Sequence, residues 1–255
     1  ARDTAIMEIQ NSLDKIILPQ TFDLIVSQTA PENREVGEIT VQQQLGQVSY
    51  LAFTFELKPD WLQQMLLKNN NREHLLKTLL RYDILKPSSG NFWSMSPFVI
   101  NVLKQFGVEF EAFANPMVHH FAKYFSPFPD LDKAYGSLGN FLHDETKLEP
   151  GRYQVNPPYV EDVLTSTSSK IVEALQSNKL FSFFVYYPAW INSIGYKLLK
   201  ESPYLKQLIS LSNHNNFDMI TGKSIKANFI NVFMLLSNEP DFDFDFEQIS
   251  QYFYQ

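Results

Sequence analysis

An α/β fold, with a twisted and mainly parallel sheet preceded by a helical N-terminal region, is what this sequence predicts. Three observations carry that expectation. Apolar residues recur at helical spacing through the first 90 residues, two long uninterrupted apolar runs occupy the second half, and strand-like and helix-like segments alternate between them. The expected division is residues 1–90 as a mainly helical region and 91–255 as the sheet domain.

In chain order, Thr4 to Leu18 carries Ile6, Ile9, Leu13, Ile16 and Ile17 on one helical face and is stopped by Pro19. Trp61 to Leu79 repeats the pattern with Leu62, Met65, Leu66, Leu75, Leu76 and Leu79. Between them Pro31 to Gly46 is polar and turn-rich, and it reads as surface loop, as does Asn69-Asn70-Asn71. After Lys86-Pro87-Ser88-Ser89-Gly90 the character changes. Pro97 to Phe106 predicts a helix with proline in its first turn, Val108 to Phe113 a strand, and Pro116 to Tyr124 a further helix. Tyr153-Gln154-Val155 predicts a strand, Val160 to Leu175 a helix, and Leu180 to Tyr187 and Phe229 to Leu236 two buried central strands. Phe242, Phe244 and Phe246 alternate with Asp, which fits either an edge strand or a tail docked on a partner.

Composition narrows the chemistry. No stretch approaches the roughly 20 apolar residues of a membrane span, and the start Ala1-Arg2-Asp3-Thr4 lacks signal-peptide form, so a soluble intracellular protein with no membrane partner is expected. With no cysteine and 5 histidines, disulfides, zinc knuckles and thiol nucleophiles are excluded and no metal is expected. His119-His120 invites a metal or general-base reading, but adjacent residues of a helix point in different directions. The formal charge is −7, from 28 acidic and 21 basic residues, which opposes unaided binding of a polyanion. A protein partner supplying basic surface is one expectation that follows.

The segment richest in chemistry is Asn156-Pro157-Pro158-Tyr159. The N6 amine of adenine is a poor nucleophile because its lone pair is delocalised into the ring, and hydrogen-bond acceptors draw the nitrogen toward tetrahedral geometry. The Asn156 amide oxygen and the Pro157 carbonyl each offer one acceptor, and two consecutive prolines fix φ and hold them in place. Tyr159 offers a face on which an extruded base stacks. Asn-Pro and Pro-Pro are also ordinary turn formers. What favours chemistry is the position between a predicted strand and a predicted helix, where open α/β sheets hold ligands.

A cofactor site is expected upstream, at Glu111-Ala112-Phe113-Ala114-Asn115-Pro116, a turn without the usual glycines. Asp130 and Asp132 follow at about the 20-residue distance at which such folds place a carboxylate against a ribose. Gly136 and Ser137, with Gly139, permit close backbone approach. Trp190 is placed either to stack on a base or to pack in the core.

Several segments together resemble the cap-specific adenosine N6-methyltransferases of the phosphorylated-CTD-interacting-factor type. They are Phe106 to Pro116, Phe128-Pro129-Asp130-Leu131-Asp132, Tyr135-Gly136-Ser137, the Asn-Pro-Pro-aromatic tetrapeptide, Phe183 to Trp190, and Asn231 to Leu235. The resemblance covers roughly Ser89 to Asp241 and implies a Rossmann-like class I methyltransferase sheet, S-adenosylmethionine as cofactor, and adenosine beside an mRNA cap as substrate. It implies catalytic roles for Asn156 to Tyr159, cofactor contacts from Glu111, Phe113, Ala114, Asn115, Asp130, Asp132, Gly136 and Ser137, and substrate contacts from Trp190, Lys197 and Lys200. The family has Phe at Tyr159, and an acid and a base around Trp190 where this chain has Ala189 and Ile191. Its basic segment is thinned here to Lys197, Lys200 and Lys206, with Lys223 and Lys226 beyond. The resemblance extends to the catalytic region only, without the WW domain. Alternatives are a non-catalytic subunit or recognition module of the same fold, an enzyme acting on DNA, and one acting on a protein amide.

Overall fold

The computed structural model describes residues 39–45, 47–50, 53–84, 93–219, 223–242 and 244–254. The chain divides into units 1–38 and 39–255, and the described residues fall in the second. The expected helix over Thr4 to Leu18 and the breakpoint at Lys86 to Gly90 lie outside them.

The first described elements are strands. β1 (Thr40–Gln42), β2 (Gln47–Tyr50) and β3 (Phe53–Glu56) pair antiparallel in sequence order. This corrects the reading of Pro31 to Gly46 as loop: Ile39, Val41, Val48 and Phe55 share one apolar cluster, and burying that face outweighs the polar glutamines between them. Two helices follow, α1 (Pro59–Lys68) and α2 (Arg72–Ile84). They separate at the asparagine run because Asn71 caps the second, its Oδ1 accepting from the His74 amide at 3.0 Å.

Among the described residues, the main sheet has six strands. They are β5 (Phe110–Glu111), β6 (Lys123–Tyr124), β7 (Gly151–Val155), β8 (Phe181–Pro188), β9 (Leu205–Leu211) and β12 (Asn231–Ser237), in the order β6-β5-β7-β8-β12-β9. β6, β5, β7 and β8 run parallel, and β12 is antiparallel to both β8 and β9. The sheet is therefore mixed. A parallel bridge between Tyr124 and Ser137 adds one more contact outside β6. A smaller antiparallel sheet joins β4 (Trp93–Ser94), β10 (Asn215–Asp218) and β11 (Lys223–Lys226).

Every residue of β8 and β12 is buried, as continuous apolar runs at the centre of a two-faced sheet require. Tyr153, Val155, Phe183, Val185, Val232 and Met234 face one cluster, which includes α5 (Glu161–Gln176) and α6 (Ile194–Lys200). Phe184, Tyr186, Phe233 and Leu235 face the other, with α3 (Pro97–Gln105) and α7 (Phe246–Ser250). In α5, Leu164, Ile171 and Leu175 recur at helical spacing on the buried side, each such side chain contributing about 1.5–3 kcal/mol. Phe244 and Phe246 are buried in the second cluster, which resolves the alternating tail: its phenylalanines dock on the chain's own core.

One ion pair closes the end of this sheet opposite the strand carboxyl termini of β7 and β8. The Arg152 guanidinium reaches both Glu239 carboxylate oxygens, at 3.0 and 2.7 Å, and also the Phe106 carbonyl at 2.7 Å. Arg152 holds the Glu239 carboxyl below its usual range.

Candidate functional site

Strand order gives the place of the candidate site. The chain leaves β5 toward β6 on one side, while β7 lies on the other, so the connections diverge above the carboxyl ends of β5 and β7. In open α/β sheets such a divergence opens a crevice for ligands. The ladder ends where the Ala112 amide donates to the Gln154 carbonyl at 2.9 Å. Beyond it Phe113, Ala114 and Asn115 follow β5 and Asn156 follows β7, all half-buried. The short helix α4 (Pro129–Asp132) follows β6.

The first loop departs from expectation. Pro116 to Tyr124 is not a helix, and the strand expected over Val108 to Phe113 shortens to Phe110–Glu111. Side chains have captured the amides a helix would use: Asn115 Oδ1 accepts from Met117 and Val118 at 3.0 and 2.8 Å, and Glu111 Oε2 accepts from His120 and Phe121 at 2.6 and 3.3 Å. Local side-chain acceptors offered the backbone a better alternative than the i to i−4 ladder.

Glu111 is buried, and burial pushes its carboxyl up from 4.5 to about 8, against the pull of the His120 and Phe121 amides. The folded protein therefore binds this proton more tightly than the unfolded chain. Its contribution to stability is greatest below pH 4.5 and declines as pH rises toward 8. Glu111→Gln keeps an acceptor oxygen and removes the titration. Stability followed by thermal unfolding from pH 5 to 8 is expected to change less favourably with rising pH in the wild type than in this variant; equal slopes would contradict it.

The other expected cofactor residues fall in three settings. Asp130 is exposed and pairs with Arg81 at 2.5 Å. Asp132 is fully buried; its Oδ2 accepts from the Tyr82 hydroxyl at 2.6 Å, its Oδ1 has no hydrogen bond, and burial raises its carboxyl to about 6. Ser137 is buried against Ser126, oxygen to oxygen 2.6 Å, while Gly136 is exposed with φ of 94°. Glu111, Asn115, Asp132 and Ser137 thus shape their loops through their side chains. Phe113, Ala114 and Asn115 are half-buried beside the end of β5, with the Phe113 ring against Phe141.

On the other side, Pro157 is buried and Pro158 exposed. The Tyr159 hydroxyl accepts from Asn231 Nδ2 at 2.9 Å, and burial pushes the phenol well above its ordinary pKa. Its ring meets Trp190 and Phe229 edge-on, with centroids 6.2 and 5.9 Å away. Trp190 is 43% exposed at the end of β8, so it belongs to the site's rim. Val160, Ile191, Ile194 and Ile230 are exposed around the same segments, and the mouth is apolar. Glu161 draws the rim together, its Oε1 accepting from the Ser193 hydroxyl at 3.1 Å and the Ile194 amide at 2.9 Å. Lys197 and Lys200 are exposed in the last turn of α6, at the end of that helix away from Glu161. His119 stacks on Tyr124, and His120 bonds Ser94 at 2.8 Å; burial lowers both imidazoles, His120 to about 4. Both are therefore neutral at physiological pH.

Sequence reasoning missed Asn231, Phe229 and Glu161. For Asn231 a signal existed: an asparagine opens an otherwise apolar run.

Residues 62–219, more than half of the chain, match the family model described as phosphorylated CTD interacting factor 1 WW domain. Two relatives are named mRNA (2'-O-methyladenosine-N(6)-)-methyltransferase. The one from Mus musculus is 41% identical and the one from Homo sapiens 40% identical, each over 86 residues, 33% of this chain and 12% of the relative. The match thus spans about an eighth of those proteins' length. It also corrects the expectation of a catalytic region without the WW domain, because the model that covers residues 62–219 is the family's WW-domain model. Within the matched span the sequence carries two tryptophans, Trp93 and Trp190. Among the described residues no helix is long and apolar enough to cross a membrane.

Proposed function

The chain belongs to the phosphorylated CTD interacting factor 1 WW domain family, and from that premise we propose that it is an S-adenosylmethionine-dependent methyltransferase acting on the N6 amine of adenine in nucleic acid, with the cap-adjacent adenosine of mRNA as the favoured substrate. The observation that carries the proposal is Asn156-Pro157-Pro158-Tyr159 at the carboxyl end of β7, beside the crevice where the sheet's connections diverge. The strand order, with one reversed strand next to the far edge, suits a Rossmann-like methyltransferase sheet.

Bound between the β5 and β7 loops by Phe113, Ala114 and Asn115, the cofactor would supply an electrophilic methyl group. The chain's own residues do the rest. The Asn156 amide oxygen and the Pro157 carbonyl would each accept a hydrogen bond from one N6–H, so that the N6 lone pair is released from the ring and is available to take the methyl group as its bond to the donor sulfur breaks. The surplus proton leaves along one of these acceptor contacts. Tyr159 stacks on the base. The apolar rim around Trp190 suits neighbouring base faces better than phosphates, which reconciles the charge of −7 with a nucleic-acid substrate.

Labelled S-adenosylmethionine with matched capped RNA, uncapped RNA and DNA tests the proposal; label in none of the three overturns it. The acidic total, with Ala189 and Ile191 flanking Trp190, favours one second reading, a recognition module that binds no cofactor. Calorimetry with S-adenosylmethionine separates the two.

A further inference from the structure

We infer that Asn231 is the positioning residue for Tyr159: it fixes the stacking ring and, through it, the plane in which an adenine is held. This rests on the reading of the site given above.

β12 is apolar from Val232 to Leu236, and the asparagine that opens it is fully buried, paired in the sheet with Pro188 and Leu211. A buried amide is costly unless its polar atoms are used. Here Nδ2 donates to the Tyr159 hydroxyl at 2.9 Å and the side chain also interacts with the Tyr186 hydroxyl, while Oδ1 has no hydrogen bond. The amide is thus satisfied on one side, the side that faces the two phenols, and Tyr159 is the one of them that stands at the candidate site.

The same stretch of chain supplies the rest of the frame. Phe229, two residues earlier, meets the Tyr159 ring at 80°, and the Ile230 carbonyl accepts from the Ala189 amide at 2.9 Å, setting the backbone that carries Trp190, which meets Tyr159 at 72°. Two edge-on aromatic contacts restrict lateral shift of the ring. They do not prevent it from sliding along its own long axis or tilting out. The hydroxyl bond to Asn231 removes that freedom, since a displaced phenol leaves a buried donor with nothing to bond. With the phenol kept protonated by burial, the bond joins two neutral groups and persists across the physiological pH range.

The test is a double-variant cycle with Tyr159→Phe, Asn231→Ala and both together, in the full chain. Each single variant is expected to lower kcat/KM for an adenine-containing strand about 2- to 10-fold, the weight of one hydrogen bond, while the Kd for S-adenosylmethionine stays within twofold. The double variant is expected to be no worse than the poorer single one, because both remove the same contact. Multiplying effects, or an Asn231→Ala variant with a lowered Tm and unchanged kcat/KM, would overturn the inference. A wild type that methylates no adenine strand sinks the functional reading instead. The same cycle is then read from strand binding, where additive losses overturn the positioning role by themselves.

Discussion

Asn156→Ala is expected to lower methyl transfer to adenine by about 10²–10³-fold, the loss typical when one preorganised hydrogen-bonding group is removed from the reacting centre. Its neighbours make the effect specific. Val155 ends β7 in the core, Pro157 is buried, and the two consecutive prolines fix φ on the carboxyl side of position 156. Binding of S-adenosylmethionine should fall far less than methyl transfer does, since the residues assigned to hold the cofactor, Phe113, Ala114 and Asn115, are on the β5 loop. Asn156→Asp keeps an acceptor oxygen and is expected to lose less than Asn156→Ala. Initial rates with labelled cofactor check all of this; an alanine variant within threefold of wild type would remove Asn156 from the chemistry.

A second large effect is expected at a helix crossing, where the contact is steric. Gly195 lies in α6 where that helix crosses α5, and a Cβ built on it stands 2.7 Å from both the carbonyl carbon and oxygen of Leu164. These are backbone atoms that cannot turn aside. Gly195→Ala therefore forces the helices apart, at a cost of about 1–3 kcal/mol or more, and in a chain of this size Tm should fall by roughly 2–4 °C for each kcal/mol. The cost is steric alone, for Gly195 is not among the glycines with positive φ. Because Glu161 ties the first turn of α5 to Ser193 and Ile194, the shift should also reach the apolar rim, and strand affinity should fall with Tm. A Tm within about 1 °C of wild type, below the smallest fall expected of roughly 2 °C, would refute this account of the crossing.

The elements that could be read from the sequence are those whose cause is local. β7, β8, β12, α3 and α5 all stand within two residues of expectation, because a continuous apolar run, a 3.6-residue stripe or a proline in a first turn acts through neighbours in the chain. The tetrapeptide was legible for the same reason: its rigidity is built from consecutive residues. Pro116 to Tyr124 was misread because the decisive acceptors are Glu111 and Asn115, whose competition with the helix exists only once Glu111 is buried and cut off from water. The β1–β3 sheet was misread because its one apolar face is valued only against the residues it packs upon.

By itself, then, the sequence determined that an α/β sheet forms, where its central strands and main helices lie, and that a turn with two consecutive prolines follows one of them. Tertiary structure alone decided that β5 and β7 are neighbours with a crevice above them, that β12 runs backwards between β8 and β9, and that Asn231 meets Tyr159 across 72 residues of chain. The physical reason is common to all three. Strand order and long-range hydrogen bonds are set by which buried surfaces fit together, and residues far apart along a chain carry no mark of one another until the core has closed.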